Sequence, residues 1–232
     1  MIRVALSDGS SRELRSGACV RDVAREIEPQ LGESMVCASI DGELRDVRDR
    51  LERDCALRIY TRQTAEGYKV LCHTAAHVVG QAVARLFPET ILGRGAACDS
   101  GFYHDFEFRR PPNFRDLERI ETEAARIVHE DLPIERQRTS KGDARSLLVR
   151  LGEIFKLELL EEIDCPSVFL YSQGEHVDLC RGPHAPSTGR VPIPRLTGFS
   201  VSRWRGDPHA EALHRIHGTI DRGKDLIPQT GA

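Results

Sequence analysis

Short stretches of alternating apolar and polar residues fill the first sixty positions of the chain. Residues 2–6 alternate as a half-buried strand, and Ser7-Asp8-Gly9-Ser10 forms a hairpin turn before a second short strand. Residues 18–27 change to helical spacing, which Pro29 ends. Three more strands are predicted at 36–40, 44–47 and 57–60. This order of elements predicts a small β-grasp domain over residues 1–62.

The pattern changes after this domain. Residues 63–69 are polar without apolar periodicity, which predicts a linker. Residues 73–87 carry a broad apolar stripe at helical spacing, which predicts a long helix ending at Pro88. Further strands are predicted at 102–108, 134–138, 168–171 and 175–178, and further helices at 113–129, 140–151 and 210–217. Residues 70–220 are therefore predicted to form an α+β domain with a mixed or antiparallel sheet, followed by a polar tail at 221–232.

Composition narrows the class of protein. The 232 residues carry a formal net charge of -3, which argues against a protein that coats nucleic acid nonspecifically but permits a local basic patch. No apolar run approaches the roughly 20 residues of a membrane span, and the N-terminus lacks the apolar core of a signal peptide. Seven scattered cysteines do not resemble a disulfide framework. A cytoplasmic protein without a membrane partner is expected.

Two residue pairs stand out as candidate chemistry. His73 and His77 are spaced i, i+4, so their imidazoles lie on one face of the predicted helix. Cys180 and His184 flank Gly182-Pro183, a turn that can fold them toward a common point. Three imidazoles and one thiolate are a plausible tetrahedral zinc set.

The zinc interpretation leaves three alternatives open. Four protein ligands close the metal's shell, whereas catalysis needs an open position for water. Either one ligand moves away, or the metal is structural, or the four groups bind substrate without metal. The remaining histidines are expected to be surface or partly buried residues rather than ligands: His104, His129, His176, His209, His214 and His217. Arg203, beside Trp204, is a candidate phosphate contact.

Several motifs together resemble a known family. They are His73-x-x-x-His77, Gly101-Phe102-Tyr103, Phe155-Lys156, the run Asp178 to His184, and Trp204-Arg205-Gly206-Asp207. With these motifs, residues 70–220 resemble the editing domain of threonyl-tRNA synthetase, and the first sixty residues resemble a TGS domain. A synthetase of this kind would continue into catalytic and anticodon-binding domains, so the resemblance implies a deacylase acting in trans on mischarged tRNA(Thr), at the acceptor end that carries a noncognate amino acid.

The resemblance also implies residue roles. His73 meets the ribose 2′-hydroxyl, while Lys156, Asp178 and Cys180 hold or activate the attacking water. His77 and His184 shape the site. Editing domains of the threonyl type are regarded as metal-free, so no cofactor is required, whereas related alanyl-type domains bind zinc. Zinc on His73, His77, Cys180 and His184 therefore remains an alternative.

Departures from the family's usual sequence bear on the substrate. They are Gly95-Ala96-Ala97-Cys98 before the Gly-Phe-Tyr motif, Phe155 where a tyrosine is common, and Ser200-Val201-Ser202-Arg203 before the tryptophan. Gly95, Phe155 and Arg203 are accordingly expected to line the pocket. Seryl-tRNA(Thr) and a threonine-analogue tRNA such as fluorothreonyl-tRNA are equally compatible substrates.

Two functions of other classes are also compatible with the sequence. One is a non-catalytic tRNA-binding or regulatory module, and the other is a zinc-dependent hydrolase of a small molecule. A homodimer is one possible assembly.

Overall fold

The computed structural model describes residues 1–222, which fall into two compact units. One contains Met1–Leu71, Gly182–Pro186 and Arg222, and the other contains Cys72–Arg181 and Ser187–Asp221. Within the described residues, no helix combines the length and apolar character that crossing a membrane requires. The predicted polar tail, apart from residues 221 and 222, lies outside the described residues.

The first unit is built on a five-stranded sheet. Its elements are β1 (Ile2–Leu6), β2 (Ser11–Leu14), β3 (Ala18–Cys19), α1 (Val20–Ile27), α2 (Pro29–Ser34), β4 (Met35–Ile40), β5 (Glu43–Arg45), β6 (Arg50–Leu51) and β7 (Cys55–Thr61). The sheet order is β2-β1-β7-β4-β5, with β1 and β7 parallel. Helix α1 buries Val20, Val23 and Ala24 in a core that includes residues of β1, β4 and β7. The β-grasp expectation is confirmed.

The second unit contains two antiparallel sheets. Its elements are the continuation of α3 (Ala65–Leu86), then β8 (Ile91–Cys98), β9 (Gly101–Glu107), α4 (Phe114–Glu130), β10 (Ile134–Ser140), α5 (Lys141–Leu151), α6 (Ile154–Glu161), β11 (Ser167–Gln173), β12 (His176–Leu179), β13 (Arg195–Arg203) and β14 (Ala212–Thr219). The sheet orders are β13-β14-β9-β8 and β10-β11-β12. The predicted α+β class is confirmed.

Two sequence-based expectations are corrected by these elements. Helix α3 begins at Ala65, inside the predicted linker, because Thr64 caps it: the Thr64 hydroxyl accepts the Gly67 N–H at 3.1 Å. The predicted helix at 210–217 is strand β14, paired with β9 and β13. Its buried Leu213 and Ile216 fit helical spacing, but both neighbouring strands supply hydrogen bonds that hold the segment extended. Strands β8 and β13 were not predicted.

Helix α3 is held against both sheets of the second unit. Nδ1 of His104, on β9, lies 2.9 Å from the Ala76 carbonyl oxygen. The close approach requires Gly80, because a Cβ atom there would lie 2.8 Å from His104 Cε1. On the other side, the Gln173 side chain of β11 donates to the His77 carbonyl oxygen at 3.3 Å. These contacts bring the histidine-bearing helix to the ends of β11 and β12.

Candidate functional site

A buried ion pair forms the centre of the candidate site. Lys156 lies on α6 and Asp178 on β12, and each is less than 5% exposed. The Lys156 Nζ atom is 2.8 Å from one carboxylate oxygen of Asp178 and 2.9 Å from the other. Burial by itself would raise the pKa of Asp178, but the Lys156 ammonium outweighs it and lowers that pKa. Asp178 is therefore ionised at neutral pH.

Two buried imidazoles lie beside this carboxylate. His77 Nδ1 is 3.7 Å from Asp178 Oδ2, and one ring nitrogen each of His77 and His176 and one oxygen of Asp178 lie within 4.8 Å of one another. Burial lowers the pKa of both imidazoles, and the positive charge of Lys156 lowers them further. Both rings are consequently neutral at pH 7.

His73 and Cys180 form the more accessible part of the site. His73 precedes His77 by one helical turn, and Cys180 directly follows β12. The Cys180 Sγ atom lies 3.4 Å from His73 Nε2. The rings of His73 and His77 meet edge to face with centroids 5.2 Å apart. A thiol, an imidazole and a buried ion pair are thus brought together from α3, α6 and the end of β12.

The structure contains a possible His/Cys metal site. His73, His77 and Cys180 each bring one ligand atom within 4.8 Å of the others. His184, the fourth residue of the predicted zinc set, is buried and follows a cis Gly182–Pro183 peptide bond, in the segment that groups with the first unit. Imidazole and thiolate are ligands that suit zinc, so the residue types fit this metal.

The three residues expected to line the pocket occupy different environments. Gly95, on β8, passes close to α3, and a Cβ atom there would lie 3.3 Å from the Ala76 Cβ and from the His104 ring. Phe155 is 1% exposed and packs on Trp204 with ring centroids 4.7 Å apart, so it is a core residue. Arg203 is exposed at the end of β13 and donates to the Ala210 carbonyl oxygen at 3.0 Å.

Sequence reasoning missed two histidines and one glutamate. His104 and His176 were expected to be exposed or partly buried, but both are buried, and each has an Nε2 atom with no hydrogen-bond partner among residues 1–222. Burial lowers the pKa of His104 to about 4. Strand alternation could have indicated His176, two positions before Asp178. Glu153 directly precedes α6 and stands three positions before Lys156.

The geometry suits hydrolysis of an activated carbonyl. An ammonium can stabilise a developing oxyanion, and an imidazole can carry a proton between water and a leaving group. Asp178 holds the ammonium in place, and the thiol of Cys180 contacts the His73 ring. These groups lie on a helix, a second helix and a strand end, elements whose packing restrains their motion.

Comparison with known proteins gives matches over most of the chain. The family model described as TGS domain matches residues 2–61, and the model described as Threonyl and Alanyl tRNA synthetase second additional domain matches residues 168–217. The threonine–tRNA ligase of Symbiobacterium thermophilum is 40% identical over 228 residues, covering 97% of this chain and 35% of the relative.

Two further threonine–tRNA ligases show the same relationship. That of Pelobacter propionicus is 41% identical over 218 residues, covering 94% of this chain and 34% of the relative. That of Clostridioides difficile is 39% identical over 228 residues, covering 97% of this chain and 36% of the relative. The chain spans about a third of the length of these curated relatives. It combines a TGS domain with the second additional domain found in threonyl and alanyl tRNA synthetases.

Proposed function

We propose that this protein is an aminoacyl-tRNA deacylase that acts in trans on mischarged tRNA(Thr). The observation that carries the proposal is the Lys156–Asp178 ion pair close to the His73–Cys180 contact, in a domain of the synthetase-associated type. The substrate is the ester between a noncognate amino acid and the terminal ribose. Residues 70–220 perform the hydrolysis, and the TGS domain within residues 1–62 assists tRNA binding in the cytoplasm.

The proposed reaction uses groups of the protein and water. A water oxygen attacks the ester carbonyl carbon, and its proton passes to His73. The Lys156 ammonium stabilises the oxyanion of the tetrahedral intermediate. The bond from carbon to the ribose oxygen then breaks, and the ribose oxygen takes the proton from His73. Free amino acid and uncharged tRNA leave, and His73 is regenerated.

The amino acid is serine or a threonine analogue such as fluorothreonine. A pocket for serine must exclude the extra methyl group of threonine, and hydrophobic contacts give about 10- to 200-fold discrimination per methylene. Gly95 lies close to the His104 ring and to Ala76 of α3, and we propose that the small residue at this position sets the width of the pocket.

The deciding experiment is a single-turnover deacylation assay on seryl-, threonyl- and fluorothreonyl-tRNA(Thr). We expect rapid hydrolysis of the seryl or the fluorothreonyl ester and slow hydrolysis of the threonyl ester. Equal rates on all three would contradict the proposed discrimination. Binding of charged tRNA without hydrolysis would instead identify a non-catalytic tRNA-binding module.

The His/Cys ligand set favours one alternative function. If zinc binds His73, His77 and Cys180, the site resembles that of a zinc-dependent hydrolase of a small molecule. Stoichiometric metal in the purified protein, with activity that chelation removes and tRNA does not affect, would support this alternative over the deacylase.

A further inference from the structure

Glu153 connects the start of α6 with strand β8. It directly precedes α6, and its Oε2 atom accepts the Leu92 backbone N–H at 3.2 Å. Immediately after Leu92, the register of β8 on β9 shifts before Gly95. The carboxylate therefore binds β8 at the point where regular pairing stops and the strand backbone becomes irregular.

The irregular part of β8 packs closely against β9 and α3. A Cβ atom on Gly93 would lie 2.9 Å from the Asp105 Cβ, and one on Gly95 would lie 3.3 Å from the Ala76 Cβ. Ala76 belongs to the same helix as His73 and His77. The backbone of β8 therefore has little room to move relative to α3. The hydrogen bond from the Leu92 N–H to Glu153 holds this backbone just before its irregular part.

Glu153 also interacts electrostatically with the central ion pair. Burial is the main cause that raises the pKa of Glu153 to about 7, repulsion by Asp178 on β12 raises it further, and attraction by Lys156 on α6 partly opposes both. The contact from β8 is the uncharged Leu92 N–H. Around neutral pH, this side chain therefore changes charge near Lys156 and Asp178.

We propose that Glu153 is a positioning residue of the deacylation site, whose carboxylate holds β8 through the Leu92 N–H and adds a third charge to the Lys156–Asp178 pair. The proposal rests on the proposed function. The ionised form is the productive one, because a charged acceptor forms the stronger hydrogen bond to an N–H group. Glu153 acts through β8 and Lys156 rather than on the substrate.

The first test compares rates between pH 5.5 and 9. Glu153→Gln keeps an oxygen acceptor but removes the charge, Glu153→Ala removes both, and the exposed Glu135→Gln is the control. We expect the wild-type rate to include a rise through about pH 7 that Glu153→Gln lacks. Glu153→Ala should lose about ten- to hundredfold at pH 8, the scale of a misplaced catalytic group. An unchanged pH profile in Glu153→Gln would overturn the proposal.

The second test does not depend on activity. Because the folded-state pKa of Glu153 lies above its unfolded value, the wild type loses stability as pH rises from about 4.5 to about 7. Glu153→Gln escapes this loss, so its melting temperature relative to wild type should increase across this window and then level off, whereas Glu135→Gln should show no such trend.

The two tests separate the possible failures. A wild type inactive on every charged tRNA would refute the proposed function, while a missing stability trend in Glu153→Gln would refute the burial of the Glu153 carboxylate on which the positioning role rests. Should Glu153→Ala not fold, the isosteric glutamine variant decides both tests.

Discussion

The Lys156 ammonium lies within 2.9 Å of both carboxylate oxygens of Asp178, and both side chains are buried. Removing one partner leaves the other charge in a medium of low dielectric constant, which makes this pair sensitive to substitution. The pair also joins α6 to the end of β12, where Cys180 begins its turn. Loss of this ion pair is therefore expected to reduce both the stability of the protein and the rate of the proposed reaction.

Replacing Lys156 by Met should slow deacylation strongly and reduce stability. The unpaired Asp178 carboxylate costs about 3–5 kcal/mol. The single-turnover rate should fall by about a hundredfold or more, because an oxyanion donor is lost. The control is Lys69→Met at an exposed position, which should change neither the single-turnover rate nor the stability.

A double variant separates the two effects of that substitution. Lys156→Met/Asp178→Leu removes the buried charge as well, so it should recover part of the lost unfolding free energy without recovering activity. If the single Lys156→Met variant hydrolysed charged tRNA as fast as Lys69→Met, the role proposed for this ammonium would be wrong.

Chelation should leave the deacylation rate unchanged, because the proposed reaction uses His73 and Lys156 rather than a metal. Metal content by mass spectrometry, measured before and after chelation, must accompany the rate. Cys180→Ser should lower any zinc occupancy, since a hydroxyl is a poorer zinc ligand than a thiolate. A rate that falls with metal content and returns on adding zinc would argue for the alternative zinc hydrolase.

Replacing Phe155 by Ala should destabilise the second unit by about 3–5 kcal/mol. Its ring is buried against Trp204 and Leu213, so truncation leaves a cavity in that core. Ile154→Ala, at a neighbouring position that is 45% exposed, should cost much less. Urea unfolding of both variants measures the difference, and similar losses would contradict the core assignment of Phe155.

Replacing Gly80 by Ala should destabilise the protein, although alanine favours helices. The new Cβ would lie 2.8 Å from the buried His104 ring, and such overpacking costs about 1–3 kcal/mol. Gly142→Ala in α5 is a matched control, because its nearest neighbour would be 3.8 Å away. That control should gain up to about 1 kcal/mol. Thermal unfolding measures both variants, and a higher melting temperature for Gly80→Ala than for wild type would contradict the overpacking against His104.

Acid should weaken an ion network around Arg85. Its hydrogen bonds lower the pKa of Glu175 to about 2, below the unfolded value, so the ionised pair stabilises the fold above about pH 4.5 and this contribution disappears as pH falls toward 2. Glu175 is more than half exposed, which limits the contribution to about 1 kcal/mol.

The acid effect can be measured with one substitution. Glu175→Gln should lower the free energy of unfolding at pH 6 and lose less of it between pH 5 and 2 than wild type does. Glu135→Gln, at an exposed position, should follow wild type, and an equal acid response of Glu175→Gln and wild type would contradict the ion-pair account.

Local signals explain which elements could be predicted. Helix α4 begins where Asn113 and Asp116 cap each other's backbone N–H groups, a signal contained within four residues. Strand β8 carries Gly93 and Gly95, which have weak strand propensity, and it exists because β9 pairs with it. Strand β14 was predicted as a helix because the partners that hold it extended include β9, about a hundred residues earlier.

For the site, the sequence by itself determined the helical spacing of His73 and His77 and the turn after Cys180, because spacing and turn chemistry act over a few residues. Only the tertiary structure decided that Lys156 pairs with Asp178, that Phe155 faces the core, and that Glu153 reaches Leu92. Burial and charge pairing depend on side chains brought together from distant segments. The rotation of each helix about its own axis decides which of its side chains face those segments.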